Sequence, residues 1–434
     1  MRANAVRLAA AAAVAVLATA CSGASAPSGA RSSGAVARDD CLSASLCYAP
    51  RQFQTAYGIR PLLGRGIDGR GQTVVLPEFA APSGPPPQVT DIRQDLARFD
   101  HRFGLPAARL QVINSLARSV APWLAIGEEV EDTEIVHAAA PGAAIREVLI
   151  SDKATRSPAA ASADLAAALR LGLAQGAVIS FSHSWGERCF TTAEVAQLDS
   201  ALQAARNHHV TVINSSGDFG AAANRCSEAG AYTPVKGVNL LDADPLVLAA
   251  GGTSLQANRS TGAYISETVW NALVPQGYTV SSGGGFSQLF PRPAYQDGVP
   301  GIAATRGVPD VAADAANGTG MALAISEGAQ RYILTPANGT TAAAPLWAAV
   351  IALANQDAGR PLGFVNPAIY RIGRSPSYHK AFHAIATGTN TVTDHQLAIT
   401  ITGYRAAPGW DPATGWGTPN AQALVPLLAH YASR

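Results

Sequence analysis

Lysine is nearly missing from this 434-residue chain, with Lys153, Lys236 and Lys380 against many arginines. The 31 basic and 30 acidic residues leave a net charge of +1. With no excess of either sign, the chain lacks the basic footprint of a nucleic-acid binder. Its amino-terminal apolar run, Leu8 to Ala20, is shorter than the ~20 residues a membrane-spanning helix needs. No Gly-x-Ser-x-Gly elbow occurs, which argues against an α/β-hydrolase nucleophile. What is present is 48% hydrophobic residues, many of them alanine, enough to bury a large core in a soluble, globular protein.

Arg2 and Arg7 followed by the apolar run give residues 1–20 the layout of a secretory signal. The run ends in Ala18-Thr19-Ala20-Cys21-Ser22-Gly23, a lipobox-like close with Cys21 as the acylated residue; cleavage after a small residue in Ala24-Ser25-Ala26 is the alternative. Export agrees with the remaining cysteines, Cys41, Cys47, Cys189 and Cys226. Four cysteines allow three pairings, and Cys41 with Cys47 plus Cys189 with Cys226 is the expected one. Residues 21–40 are rich in Ser, Gly, Ala and Pro and read as a flexible tether, so one folded domain is expected over 41–434.

Within that domain short apolar runs alternate with helical segments: Gln72 to Glu78 then Asp91 to Phe103, Ala144 to Ile150 then Ser162 to Gln175, and Ala177 to Ser182 then Thr192 to Arg206. Val210 to Asn214 and Pro245 to Ala250 follow as further strands. This alternation predicts an α/β fold with a doubly wound, mostly parallel sheet flanked by helices, in a single domain. Functional residues should then lie beyond the carboxyl ends of strands. The Pro- and Gly-rich stretch Phe286 to Gly320 reads as a surface excursion from that domain.

Three segments carry chemistry. Gly127 to Asp132 opens a helix that stops at Pro141-Gly142. Glu128 and Asp132, four apart, share one helix face, where two carboxyls can share a proton and raise one pKa; an acidic first turn also suits a helix dipole with no further role. Ser215-Ser216-Gly217-Asp218-Phe219-Gly220 follows a strand, so Asp218 is either a donor to an oxyanion or a turn aspartate. Gly339-Thr340-Thr341 with Pro345 precedes the apolar run Leu346 to Ala354. Thr341 is thus a candidate nucleophile near a helix amino end, or an N-cap.

Taken in order, these segments resemble the sedolisin (serine-carboxyl peptidase) family in its kumamolisin-like form. Glu128, Asp132 and Ala140-Pro141-Gly142-Ala143 keep the spacing of that pattern, Ser216 to Gly220 looks like its oxyanion-aspartate loop, and Gly339-Thr340-Thr341 stands where the family has Gly-Thr-Ser. The likeness runs from Tyr48-Ala49-Pro50 and Tyr57-Gly58-Ile59 to Gly409-Trp410-Asp411-Pro412, Gly415, Gly417 and Pro419. It implies a subtilisin-like fold and a secreted, acid-acting endopeptidase in which Glu128 is the base, Asp132 its orienter, Asp218 the oxyanion donor and Thr341 the nucleophile. It further implies that Ser184, Trp185, Gly186, Ser282, Gly283 and Gly284 line the substrate cleft and that Glu78 extends the proton network. His137, five residues past Asp132, points away from the Glu128 face and reads as structural.

Three departures weigh against full activity. Thr341 replaces a serine, and its β-branch restricts the rotamer; a shift of the oxygen by about an ångström can cost on the order of a hundredfold in rate. At the family's calcium site, expected here at Ile385, Ala407, Gly409 and Asp411, Ala384 stands in place of an aspartate, so calcium should bind weakly or not at all. Little chain precedes Tyr48, less than the prodomain usual in the family. The two readings are therefore a secreted peptidase working through Thr341 and a catalytically silent pseudopeptidase acting as a peptide-binding or structural lipoprotein. The expected partners are a polypeptide substrate or peptide ligand, no nucleic acid, and a membrane only through a lipid on Cys21, with the protein a monomer.

Overall fold

A computed structural model describes residues 36–80, 90–119, 121–125, 127–151, 157–173, 177–183, 185–226, 232–327 and 331–432. The expected signal, the lipobox at Cys21, the tether up to residue 35 and Ser184 lie outside the described residues. The main sheet contains, in chain order, β1 (Thr73–Phe79), β2 (Arg109–Ile113), β3 (Ala144–Ile150), β4 (Val178–Phe181), β5 (Thr211–Ser215), β6 (Val247–Ala257), β7 (Tyr264–Val269) and β8 (Val311–Asp314). Its spatial order is β7-β6-β5-β4-β1-β3-β2, with β8 pairing with β6. Every pair is parallel except β6 with β7.

Side chains of one strand divide between two cores, as a pleated strand requires. Val74 and Leu76 of β1 enter one core and Val75 the other. Val178 and Ile179 of β4 split the same way, as do Ile213 and Val212 of β5. Helices α1 (Ile92–Phe103), α2 (Gly127–Ala139), α3 (Pro158–Leu173), α4 (Thr192–Asn207) and α5 (Thr340–Ala358) cover the two faces. Phe99 of α1, Ile135 of α2 and the apolar run of α5 fill one side, whereas Leu165 of α3 and Leu198 of α4 fill the other. This is the doubly wound arrangement expected from the alternation of elements.

Helix ends follow the local sequence. Asp91 caps α1 by accepting the Arg93 amide, and Gly104 ends the helix in the left-handed region. Thr191 and Glu194 form a capping box on α4. Both expected disulfides are present, Cys41 to Cys47 and Cys189 to Cys226, and they fit an exported protein. Among the described residues no helix is long and apolar enough to cross a membrane.

Two expectations are corrected. The stretch Phe286 to Gly320 is not a surface excursion, because Val311–Asp314 is a fully buried strand joined to Ala250–Thr253 of β6. Glycine and proline around a four-residue strand disguise it, although Val-Ala-Ala is apolar enough for a strand buried on both faces. Folded structure also begins before Cys41, since Val36–Asp40 pairs in parallel with Arg331–Pro336. Such pairing uses backbone groups alone, which a tether composition does not remove.

Candidate active site

Neighbouring strands of the sheet deliver three groups to one edge: Glu78 near the end of β1, Ser182 just after β4 and Asp218 three residues after β5. This is the carboxyl edge of a parallel sheet, where such folds place their sites. Helix α2 runs beneath it and is buried almost throughout, from Glu129 to Ala139. A helix buried on every side is normally apolar, yet this one carries Glu128, Glu129, Glu131, Asp132 and Glu134. Burying so many carboxyls is costly unless each is protonated or hydrogen-bonded.

The Asp132 Oδ2 accepts from the Ser182 hydroxyl at 2.7 Å, and its carboxyl is also hydrogen-bonded to that of Glu78. Burial pushes both pKa values well up, and neighbouring negative charge pushes further: Asp132 chiefly on Glu78, and Glu128 on Asp132. Two carboxyls in contact share a proton. The proton-sharing pair is therefore Asp132 with Glu78, in place of the expected Asp132 with Glu128. A residue on the adjacent strand reaches across to Asp132, whereas no hydrogen bond joins Glu128 to Asp132 among the described residues. Glu128 is half-buried at the start of α2, and its carboxyl is raised to about 7 by burial and then by the charge of Asp218.

Asp218 sits in a loop turned by Gly217 and Gly220, both with positive φ. Its Oδ1 accepts the Thr340 amide at 2.9 Å and the Thr340 hydroxyl at 2.8 Å. The Thr340 hydroxyl oxygen in turn accepts the Gly217 amide at 2.9 Å. Thr340 thus fastens the aspartate loop to the amino end of α5. Burial raises the Asp218 pKa, against the opposing pull of the two Thr340 donors.

Thr341 is the second residue of α5. Its hydroxyl donates to Glu131 Oε1 at 2.9 Å, with the Asn338 carbonyl as a second acceptor at 3.1 Å. No hydrogen bond links it to Glu128 among the described residues. Gly339, before it, has φ of +85°. A Cβ there would stand 2.9 Å from Asp218 Oδ2 and 3.0 Å from Thr341 Oγ1. Glycine is thus required both by the backbone and by the space those two oxygens share.

The remaining expected residues are close-packed. Trp185 is buried with its ring tilted 6.5 Å from His183, and a Cβ on Gly186 would meet the Asn224 carbonyl at 2.6 Å. Ser282 is buried, donating to the Ala413 carbonyl and accepting the Gly252 amide. Gly283 donates its amide to the Gly217 carbonyl at 2.7 Å and accepts the Ser216 hydroxyl at 2.7 Å, so this segment braces the Asp218 loop. A Cβ on Gly284 would collide with the Pro412 carbonyl. His137 is fully buried against Asp100 and the Pro106 carbonyl, away from the site, as expected of a structural residue.

Sequence reasoning did not single out Glu131, Ser182, Thr340 or Asn338. For Glu131 a signal existed: it lies three residues after Glu128, hence on a neighbouring part of the same helix face. Ser182 and Asn338 meet the carboxyls only through tertiary packing.

At the expected calcium position, Asp411 Oδ1 accepts the amides of Ala413 and Thr414, and Oδ2 accepts the Thr414 hydroxyl. Burial raises this carboxyl to about 6. Ile385 is buried, and the Gly409 carbonyl accepts the Tyr378 hydroxyl at 3.3 Å. A dication needs six or more oxygens, whereas here donors converge on both carboxylate oxygens and Ala384 adds no side-chain oxygen. These residues fit a self-capped turn rather than a calcium cage. Among the described residues no cluster of three or more His, Cys, Asp or Glu is placed to hold a metal.

A mostly parallel sheet with carboxyls and a hydroxyl gathered beyond its strand ends defines an α/β protein with its candidate site at the sheet's carboxyl edge. Over 403 residues the chain is 31% identical to kumamolisin of Bacillus sp. (strain MN-32), covering 90% of this chain and 65% of that protein. It is 36% identical over 176 residues to sedolisin of Pseudomonas sp. (strain 101), covering 40% of this chain and 27% of that protein. It is 29% identical over 275 residues to human tripeptidyl-peptidase 1, covering 58% and 43% respectively. The chain thus spans less than two thirds of the length of these relatives. The solved structure of a Pseudomonas sedolisin, a serine-carboxyl proteinase complexed with two molecules of pseudo-iodotyrostatin, superposes with a TM-score of 0.71 at 25% identity, covering 87% of this chain and 97% of that one. No protein-family model matches. These likenesses support the sedolisin family, and the fold is that of sedolisin.

Proposed function

We propose that the chain is an exported endopeptidase of the serine-carboxyl type that hydrolyses peptide bonds in proteins at acidic pH, with Thr341 as nucleophile. The observation that carries this reading is the placement of the Thr341 hydroxyl: it is hydrogen-bonded to a buried carboxyl of α2 and lies across Gly339 from Asp218 Oδ2. A hydroxyl so held can lose its proton to a carboxylate as it attacks a carbonyl carbon. Asp218, whose raised pKa favours the protonated form in acid, then donates to the oxygen on which charge develops. Asp132 and Glu78, both raised by burial and by neighbouring negative charge, keep a shared proton beside the site.

In this reading Trp185, Gly186 and the Ser282 to Gly284 segment shape the peptide cleft, and the self-capped Asp411 turn takes the place of a calcium site. Cys21 is the lipid attachment that holds the exported protein at the outer face of a membrane. The protein acts as a monomer on polypeptides.

The test is cleavage of a denatured protein substrate from about pH 3 to 8 by the wild type and by Thr341→Ala. Hydrolysis that disappears in Thr341→Ala and rises in Thr341→Ser is the expected outcome. Equal hydrolysis by wild type and Thr341→Ala sinks the reading, and no hydrolysis by either favours a silent peptide-binding protein.

A further inference from the structure

We infer that Glu131, rather than Glu128, is the carboxylate that takes the Thr341 proton. This rests on the peptidase reading above and names its base. The Thr341 hydroxyl is 2.9 Å from Glu131 Oε1, and the second carboxylate oxygen, Oε2, accepts the Asn338 amide at 2.9 Å. Glu131 therefore clasps the start of α5 with both oxygens, one on the reacting hydroxyl and one on the backbone two residues before Thr340. It is 5% exposed, so its rotamer is fixed by packing. Glu128, half-buried on the same helix, makes no hydrogen bond to Thr341 among the described residues.

A physical cause lies in the nucleophile itself. A β-branched residue in a helix has few allowed χ1 values, and threonine must place a methyl as well as a hydroxyl. Here the hydroxyl oxygen meets the residue three positions beyond Glu128. Since residues at i and i+3 share a helix face, a carboxylate at 131 stands within reach of a hydroxyl that lies near that face.

The chemistry balances with this one base. As the Thr341 Oγ1 to carbonyl carbon bond forms, the carbonyl π pair moves onto oxygen and the Oγ1 proton passes to Glu131 Oε1. When the C–N bond breaks, that proton goes to the leaving amine nitrogen, leaving an ester on Thr341. Water then attacks the ester, giving its proton to Glu131, which returns it to Oγ1 as the ester bond breaks. The products are a free acid, a free amine and the unchanged enzyme.

Glu131 must be ionised to accept the proton. Burial raises its pKa, with further upward pressure from Asp132 and Glu128 on its own helix; the Asn338 amide and Thr341 hydroxyl from the start of α5 pull it down. No cation is among these leading influences. The acid limb of the kcat/KM profile therefore falls above the ordinary carboxylic range, and Glu128→Gln, by removing a neighbouring negative charge, moves that limb to lower pH.

The test is kcat/KM on a quenched fluorescent peptide from pH 3 to 8 for the wild type, Glu131→Gln, Glu128→Gln and Thr341→Ala, each checked by thermal melting. Glu131→Gln should lose about a hundredfold or more, as expected for a general base, while Glu128→Gln loses no more than about tenfold and shifts the acid limb downward. If Glu131→Gln does not fold, Glu131→Asp stands in for it, with an expected loss of at least about tenfold. A Thr341-dependent activity that survives in the Glu131 variant, or that collapses only in Glu128→Gln, overturns this assignment and leaves the peptidase reading standing. Activity equal in wild type and Thr341→Ala overturns both.

Discussion

Two buried carboxyl clusters in this molecule solve the same problem by different means. Around Asp310 the solution is a cation: Arg306, fully buried, forks onto both oxygens of Asp310 at 2.7 and 2.6 Å, and the Ala249 amide and the Tyr370 hydroxyl complete the shell. Around Asp132 the leading influences on Glu78, Glu131 and Asp132 are burial, hydrogen bonds and one another's charge, with no arginine or lysine among them. A guanidinium fixes charge at every accessible pH. Carboxyls without one must hold protons, and groups that hold protons can move them. The first cluster thus reads as structure and the second as chemistry.

Breaking the first cluster should produce the largest change in stability. Arg306→Met leaves Asp310 buried and unpaired, and a loss of about 3–5 kcal/mol in urea unfolding is expected, with no movement of the acid limb of the rate profile in whatever fraction remains folded. A shift of that limb would show that the two clusters are coupled.

Carboxyls buried without a cation, around Asp132 and elsewhere in the fold, should make stability fall as pH rises. Glu147, Glu267 and Asp314 are each raised to about 7 by burial, from ordinary values of 4.5, 4.5 and 3.8. Below about pH 4 these groups carry protons in both the folded and unfolded chain. Between there and about 7 the folded chain keeps protons that the unfolded chain has lost, so folding weakens with each step of pH. The melting temperature should therefore decline from pH 5 to pH 8, and a flat or rising curve would mean the carboxyls are ionised in the native state. Glu78 and Asp132, raised in the same direction, add to the decline.

Gly339→Ala should cost about 2 kcal/mol from its positive φ and, by intruding between Asp218 and Thr341, lower peptide cleavage more than tenfold, on the order expected for a misplaced reacting atom. Near-wild-type cleavage would mean the two oxygens do not act on one substrate atom. The smallest effect belongs to Glu78→Gln, which supplies a neutral partner to Asp132. A gain of about 1 kcal/mol at pH 8 and none at pH 4 is expected from the removal of a costly ionisation. A loss at both values would reveal Glu78 as an ordinary structural carboxylate.

Much of this arrangement was legible in the chain. Strands such as Ala144–Ile150 and the placement of Asp218 after β5 follow from apolar runs and turn residues, and of the three pairings open to the four cysteines the expected one is formed. The buried strand Val311–Asp314 was hidden because four residues amid Gly and Pro carry too little pattern. In the site, spacing within α2 puts Glu128 and Asp132 on one face, but the partner of each carboxyl is chosen by what packs against the helix. Glu78 comes from β1 and Asn338 from the approach to α5, more than 45 and more than 200 residues away along the chain from Asp132 and Glu131 respectively. No local pattern records such meetings.

Acylation of Thr341 is the most direct test of its role as nucleophile. A peptide ester mixed with the protein at acidic pH, quenched in strong acid within the turnover time and digested for tandem mass spectrometry, reads this out. An acyl group on Thr341 that is absent from Thr341→Ala and reduced in Glu131→Gln is the result predicted. Ester hydrolysis with no adduct on Thr341, or an adduct on another residue, would contradict the account.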